Sequence, residues 1–356
     1  MKKIVFVVSL FIIGLNNVFA FSTSSRATVL MDSDNNNVLY ESNPNEIRSV
    51  ASISKIMTAI VAIESGKLDD VVKVGDEIND AYGSGIYIHI GEEISLRDLL
   101  YGLMLRSGND AALAIAKYVG GDVETFVKML NEKAREIGMK NTTFNNPSGL
   151  DEKKGNMSTA YDMALLMSYA IKNDEFKKIV GTKKHTVKTN MNYYSWTNKN
   201  KLLFNYKYTT GGKTGFTEIA RRTLVTSASK NNINLVAVTL NDGNDFYDHI
   251  NMYEEAFNNY TKYRILKSGR INIIGENYYN NLSVKREFNL LLKDSDKNNV
   301  LLKYELVKKN NFSDEEVVGK VKLLVNNEKV DEQDVYVIKT QKKNFFQRIK
   351  DWLCGK

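Results

Sequence analysis

An α/β fold is predicted by three observations: apolar runs of period two near both ends of the first 240 or so residues, runs of helical period between them, and short alternating runs after about residue 267. Together they give an antiparallel sheet covered by helices, with a mainly helical insertion and a small C-terminal all-β domain. The sheet opens with strands at 28–31 and 38–40, joined as a hairpin by the Asp/Asn-rich segment 32–37. Strand runs at 223–229 and 233–240, joined by Lys230-Asn231-Asn232, are expected to pair with that hairpin. Between them, residues from about 68 to 170 read as helical, including a helix over 123–137 that stops at Gly138. The C-terminal runs, at 271–274, 288–292, 300–306, 317–325 and 335–338, are separated by Asn, Asp, Lys and Gly turns.

The two ends of the chain read differently. Lys2 and Lys3, an apolar run over 4–15 and the small residue Ala20 form a secretory signal with cleavage expected after Ala20. At the other end, Phe345, Phe346, Ile349, Trp352 and Leu353 fall on one helix face among basic residues, a pattern suited to lying in a membrane interface. The expected organisation is a signal peptide at 1–20, a catalytic part at 21–266, a β-rich part at 267–341 and a membrane-associating helix at 342–356.

Charge and cysteine content narrow the function classes. The net charge of +7 is concentrated in the first three residues and in the tail, so the body is nearly neutral and gives no electrostatic reason to expect a nucleic-acid partner. The only cysteine is Cys354, so no intramolecular disulfide can form and stability must come from packing. His89, His185 and His249 are far apart, and no His-Glu-x-x-His or paired-cysteine spacing suggests a metal. No Gly-x-Ser-x-Gly elbow occurs either.

Three short boxes carry the chemistry. In Ser52-Ile-Ser-Lys55 the helical spacing places Ser52 and Lys55 on one face, so a lysine of depressed pKa can act as base for a serine nucleophile. Ser107-Gly-Asn109 falls in a break between apolar helical stretches, where Ser107 offers a hydroxyl for proton relay and Asn109 an amide to hold a substrate backbone. Lys213-Thr-Gly215 follows two glycines. There Gly215 would let a substrate lie against an edge strand, Lys213 would face its carboxylate, and the Phe216 N–H could point at the reacting carbonyl. A phosphate loop is ruled out because its first glycine would have to stand where Lys207 does. A second Ser-x-x-Lys, Ser227 to Lys230, lies on a strand run that throws the two side chains to opposite faces, and it reads as a solvated strand end.

In this order the boxes resemble those of the low-molecular-mass penicillin-binding proteins, serine-type D-alanyl-D-alanine carboxypeptidases of the peptidase S11 type. The likeness runs from about Thr28 to Asn241. It includes Ala51-Ser-Ile-Ser-Lys-Ile-Met-Thr-Ala59, Asn146-Pro-Ser-Gly-Leu150 and Gly212-Lys-Thr-Gly-Phe-Thr217. Ser148 stands where many relatives carry histidine, and Arg221-Arg222 replaces a commoner small pair. The resemblance implies a β-lactamase/transpeptidase-like fold and Ser52, Lys55 and Ser107 as catalytic residues. It implies Asn109, Lys213, Thr214, Gly215 and Phe216 as substrate-binding residues. It further implies removal of the terminal D-alanine from peptidoglycan stem pentapeptides, acylation by β-lactams, no cofactor or metal, and a place on the outer face of the bacterial cytoplasmic membrane. Two other readings use the same boxes, a serine β-lactamase and a catalytically silent β-lactam-binding scaffold. Against the first, Val127 stands where the glutamate of a Glu-x-x-Leu-Asn loop would be.

Overall fold

The computed structural model describes residues 22–151 and 155–339; the expected signal peptide and tail helix lie outside them. Its central sheet has five antiparallel strands in the order β2-β1-β5-β4-β3. These are β1 (Ala27–Asp32), β2 (Asn37–Ser42), β3 (Thr209–Thr217), β4 (Arg221–Lys230) and β5 (Ile233–Leu240). The opening hairpin therefore pairs with the late strands as expected, β1 against β5 in the register Val29 to Val238. Asn231 and Asn232 both adopt positive φ between β4 and β5, the backbone that a tight hairpin of matching twist requires.

Alternation along these strands feeds two cores. Val29, Met31, Val225, Val236 and Val238 pack with the helices of one side, while Leu30, Leu224, Leu235 and Ala237 pack against Met252, Tyr253 and Ala256 on the other. The first side holds α1 (Lys55–Glu64), α2 (Asn109–Gly120), α3 (Val123–Ile137) and α4 (Ala160–Ala170); the second holds α5 (Asp245–Asn259). Helix α3 follows its sequence signals closely. The Asp122 carboxylate caps it by accepting from the Thr125 N–H at 2.7 Å, and Gly138 ends it in the left-handed conformation.

Of the further strand pairs that answer to no expectation, two bear on the site and on the division of the chain. One is the hairpin Lys184–Lys188 with Tyr193–Thr197, tied to the 86–92 loop through the buried Glu92, which accepts from Thr189 Oγ1 at 2.6 Å and Tyr194 OH at 2.9 Å. The other involves β6 (Thr261–Leu266). It pairs with β9 (Phe288–Leu292), so the expected boundary at 266/267 cuts through a ladder, and the change of sheet begins where α5 ends. The remaining C-terminal strands are β7 (Gly269–Ile271), β8 (Leu282–Val284), β10 (Val300–Leu306), β11 (Glu316–Val325) and β12 (Glu328–Val337). They form a second sheet, β7-β8-β12-β11-β10, around its own core of Leu282, Val284, Val321, Leu323 and Val335.

Phe126 anchors α3 to the first core and is fully buried. Phe126→Ala should cost about 3–5 kcal/mol in urea unfolding. A loss under about 1 kcal/mol would show that α3 is not held by this contact.

Candidate active site

Ser52 lies in a 3-10 turn, Ala51–Ser54, that runs directly into α1 at Lys55. Three residues per turn eclipse positions 52 and 55, so the tighter start of the helix aligns them better than an ideal α-helix would. Lys55 Nζ stands 3.1 Å from Ser52 Oγ. It also donates to Asn109 Oδ1 at 2.7 Å and to the Ser148 carbonyl oxygen.

Each of those partners is held from a different part of the chain. Asn109 begins α2, and its Nδ2 donates to the Tyr82 carbonyl at 2.6 Å, which fixes Oδ1 toward the amine. The buried Asn109 amide, expected to hold the substrate backbone, meets Lys55 through Oδ1 and Tyr82 through Nδ2. The Ser148 carbonyl arrives on a loop pressed against the serine turn. Gly149 there has φ of 82°, and a Cβ on it would stand 2.1 Å from the Ala51 oxygen, so only glycine allows this approach. Ser107 borders the same cleft as Ser52 from a left-handed position, φ 65°, just after the π-helical turn Gly102–Arg106.

The third box enters from β3, the sheet's edge strand. Gly215 is required, but by the protein itself: an added Cβ would lie 2.4 Å from Thr223 Oγ1 and 3.0 Å from the Ser52 nitrogen. The strand remains the edge of the sheet, and Gly215 borders the cleft that also reaches Ser52. Lys213 is turned inward, with its Nζ donating to the Thr214 carbonyl at 2.6 Å and 1% of its surface exposed. Phe216, by contrast, is 55% exposed at the mouth of a cleft of about 510 Å³ that also borders Ser52, Ser107 and Thr214.

The electrostatics follow from burial. Lys55 is fully buried and, among the described residues, has no ion-pair partner; burial first, then repulsion from Lys213 and Lys199, holds its pKa well below the ordinary lysine value, with Asp110 opposing. Burial and Lys199 bring Lys213 down to about 7. Lys199, which sequence reasoning did not single out, donates to Ser84 Oγ at 3.1 Å and borders the same cleft. With the amine neutral, its two N–H groups go to Asn109 Oδ1 and the Ser148 oxygen, both pure acceptors. The nitrogen lone pair is then left for the Ser52 hydroxyl to donate to.

The other candidates fall away from this centre. Ser227 is not a solvated strand end: it is buried, and its hydroxyl pairs with Thr210 Oγ1 at 2.7 Å, while Lys230 lies over the rings of Tyr208 and Phe257. His249 is a core residue between Thr226 Oγ1 at 2.7 Å and Thr239 Oγ1 at 3.2 Å, its pKa pushed down to about 3 by burial. His185 stacks on Tyr101 and meets Asp98 at 2.6 Å. No group of three or more His, Cys, Asp or Glu placed to hold a metal occurs among the described residues.

Comparison with known proteins places this arrangement. The peptidase S11 family model, D-alanyl-D-alanine carboxypeptidase, matches residues 16–244. The D-alanyl-D-alanine carboxypeptidase DacF of Bacillus subtilis is 38% identical over 220 residues, 60% of this chain and 56% of that protein. DacC of Escherichia coli is 36% identical over 238 residues, 63% of this chain and 58% of that protein. The chain thus spans somewhat over half the length of these two relatives. The crystal structure of penicillin binding protein 5 from Haemophilus influenzae superposes with a TM-score of 0.78 at 27% identity, covering 90% of this chain and 98% of that one.

Lys213 gives the site a signature in stability. Its folded pKa of about 7 lies below the ordinary 10.5, so between those values the unfolded chain binds the extra proton and stability rises with pH. Below about 7 both states carry the charge and its burial cost is fully present. Compared with Lys213→Met, the wild type should gain stability in urea unfolding as pH is raised from about 7 to about 9. A difference that stays flat with pH would contradict the buried, depressed lysine.

Proposed function

The chain belongs to the peptidase S11 family of D-alanyl-D-alanine carboxypeptidases, and from that membership together with the Ser52–Lys55 geometry we propose that it is a serine carboxypeptidase of peptidoglycan stem peptides. The observation that carries the reading is a buried Lys55 amine 3.1 Å from the Ser52 hydroxyl, also within hydrogen-bond reach of Asn109 Oδ1 and the Ser148 carbonyl oxygen. Lys55 takes the Ser52 proton as Oγ attacks the carbonyl of the penultimate D-alanine. The close approach of Gly215 to the serine turn favours an oxyanion hole formed by the Ser52 and Phe216 N–H groups. Ser107, with Lys55 or Lys213, passes the proton to the leaving amine as the C–N bond breaks. Water then hydrolyses the ester and restores Ser52. The residues at the site supply nucleophile, base and donors without a cofactor.

The β-lactamase alternative is less well supported. Asn131, which would belong to a deacylation loop, spends its amide on the Phe144 N–H and carbonyl at 2.9 and 2.8 Å, and Val127 offers no carboxylate. Export by the 1–20 signal, action at the outer face of the cytoplasmic membrane, and attachment there through the 342–356 helix belong to the same proposal, with the C-terminal sheet as a spacer. No helix of the described residues is long and apolar enough to cross a membrane.

Purified protein should release D-alanine from a pentapeptide ending in D-Ala-D-Ala, and a penicillin should add one drug mass to the peptide containing Ser52. The label should vanish in Ser52→Ala, persist in Ser227→Ala, and last minutes or longer after free drug is removed. Labelling that survives Ser52→Ala would overturn the nucleophile, and rapid repeated turnover of penicillin would favour a β-lactamase. Deleting residues 341–356 should abolish co-sedimentation with anionic liposomes while D-alanine release continues. Sedimentation of the truncated protein would refute the anchor.

A further inference from the structure

The C-terminal sheet ends in an open edge. Its order is β7-β8-β12-β11-β10, so β10 has a neighbour on one side only, and the opposite edge, β7, is three residues long. Strand β10 pairs with β11 through seven consecutive residues without a bulge, and the chain's two prolines, Pro44 and Pro147, lie elsewhere. Long, unbulged edges free of proline are templates for another strand.

The ladder shows which backbone groups remain free. The Asn326 N–H donates to the Asn299 carbonyl at 3.1 Å, and the Val307 N–H to the Val318 carbonyl at 2.8 Å. Because antiparallel pairs alternate, Leu301, Lys303 and Glu305, opposite Leu324, Lys322 and Lys320, spend their backbone groups on β11. Val300, Leu302, Tyr304 and Leu306 turn theirs outward, where no backbone partner meets them among the described residues. Their side chains pack against the core of this sheet yet stay half-buried, whereas Leu323 and Val321, which face Leu302 and Tyr304 on β11, are buried. The core is thus left uncovered along the same line as the backbone. On the other face, Leu301 and Val307 are 53% and 61% exposed, with the exposed Lys303 and Glu305 between them.

A strand that completes this edge must offer outward backbone groups at alternate residues, apolar side chains at its ends, and charges in the opposite order between them. The chain itself offers that strand. When β10 meets a second copy antiparallel about Tyr304, outward residues oppose outward residues, Tyr304 with Tyr304 and Leu302 with Leu306. On the exposed face Lys303 then lies opposite Glu305, and Leu301 opposite Val307. The other registers centred on an outward residue fail this match. Centring on Leu302 sets Leu301 against Lys303, centring on Leu306 sets Lys303 against Lys309, and centring on Val300 sets Lys303 against Lys297.

We propose that β10 is a homodimer interface, through which two copies of the chain join antiparallel about a two-fold axis at Tyr304 into one sheet that continues through both. The contact is isologous, so the Lys303–Glu305 pair occurs twice, once on each side of the axis.

Sedimentation velocity of the purified protein over a concentration series should show a monomer–dimer equilibrium, and amide exchange in the peptide spanning 300–307 should slow as concentration rises. Lys303→Glu or Glu305→Lys alone sets like charges opposite each other at both points and should raise the dimer dissociation constant about tenfold. The double variant Lys303→Glu/Glu305→Lys restores opposite charges across the axis and should recover most of that loss, a rescue that a merely structural role of either side chain would not give. Leu302→Pro removes an outward N–H that the fold does not use, and should abolish the dimer while circular dichroism shows the fold retained. Should that variant lose its fold, the charge reversals and their rescue decide alone. A protein that stays monomeric at every concentration, association that leaves exchange at 300–307 unchanged or persists undiminished in both single charge variants, or a double variant no better than the singles would each overturn the interface.

Discussion

Burying the Lys55 amine beside Ser52 with no ion-pair partner among the described residues is the constraint on which the rest of this site depends. Taking an uncompensated ammonium out of water costs several kcal/mol even after relaxation. A neighbouring lysine raises that cost, and there are two, Lys213 and Lys199. The Lys55 pKa is accordingly pushed well below the ordinary lysine value, which favours the neutral amine. Once neutral, it has two hydrogens for two acceptors and one lone pair for the hydroxyl, a fit that an ammonium with three hydrogens would spoil.

The architecture serves that fit from several directions. The serine turn and α1 bring Ser52 and Lys55, α2 brings Asn109, the Gly149 loop brings the Ser148 carbonyl, and the edge strand brings Lys213. Glycine is needed at 149 and 215 because backbone must approach backbone there, and both contacts involve the turn that holds Ser52. The cleft beside them is bordered by Lys199 and, beyond Thr214, by Arg222, which is paired with the buried Asp245.

Much of this was legible in the sequence where the signal is local. The opening hairpin, the α3 helix with its Gly138 stop, and the Asn231-Asn232 turn follow from short-range chemistry, and the structure has each of them. Spacing also placed Ser52 beside Lys55. What spacing could not give was the long-range partner. Nothing local says that Tyr82 meets the Asn109 amide or that Gly215 lies against the turn of Ser52, over 160 residues away. Ser227 misled for a similar reason: polar residues on a strand suggest solvent until a partner such as Thr210 is known. The unusual Arg221-Arg222 pair was visible as a departure, but the pairing of Arg222 with Asp245 needed the position of α5.

The protonation state of Lys55 is therefore the quantity to measure, and it can be observed without turnover by NMR of side-chain nitrogen in the Ser52→Ala protein labelled at lysine, with the signal assigned through Lys55→Arg. The account predicts a Lys55 resonance that titrates far below the other lysines and is already largely neutral at the pH where the enzyme works. A Lys55 signal that stays protonated up to the ordinary lysine range, near 10.5, would contradict it, and the base for Ser52 would have to be found elsewhere.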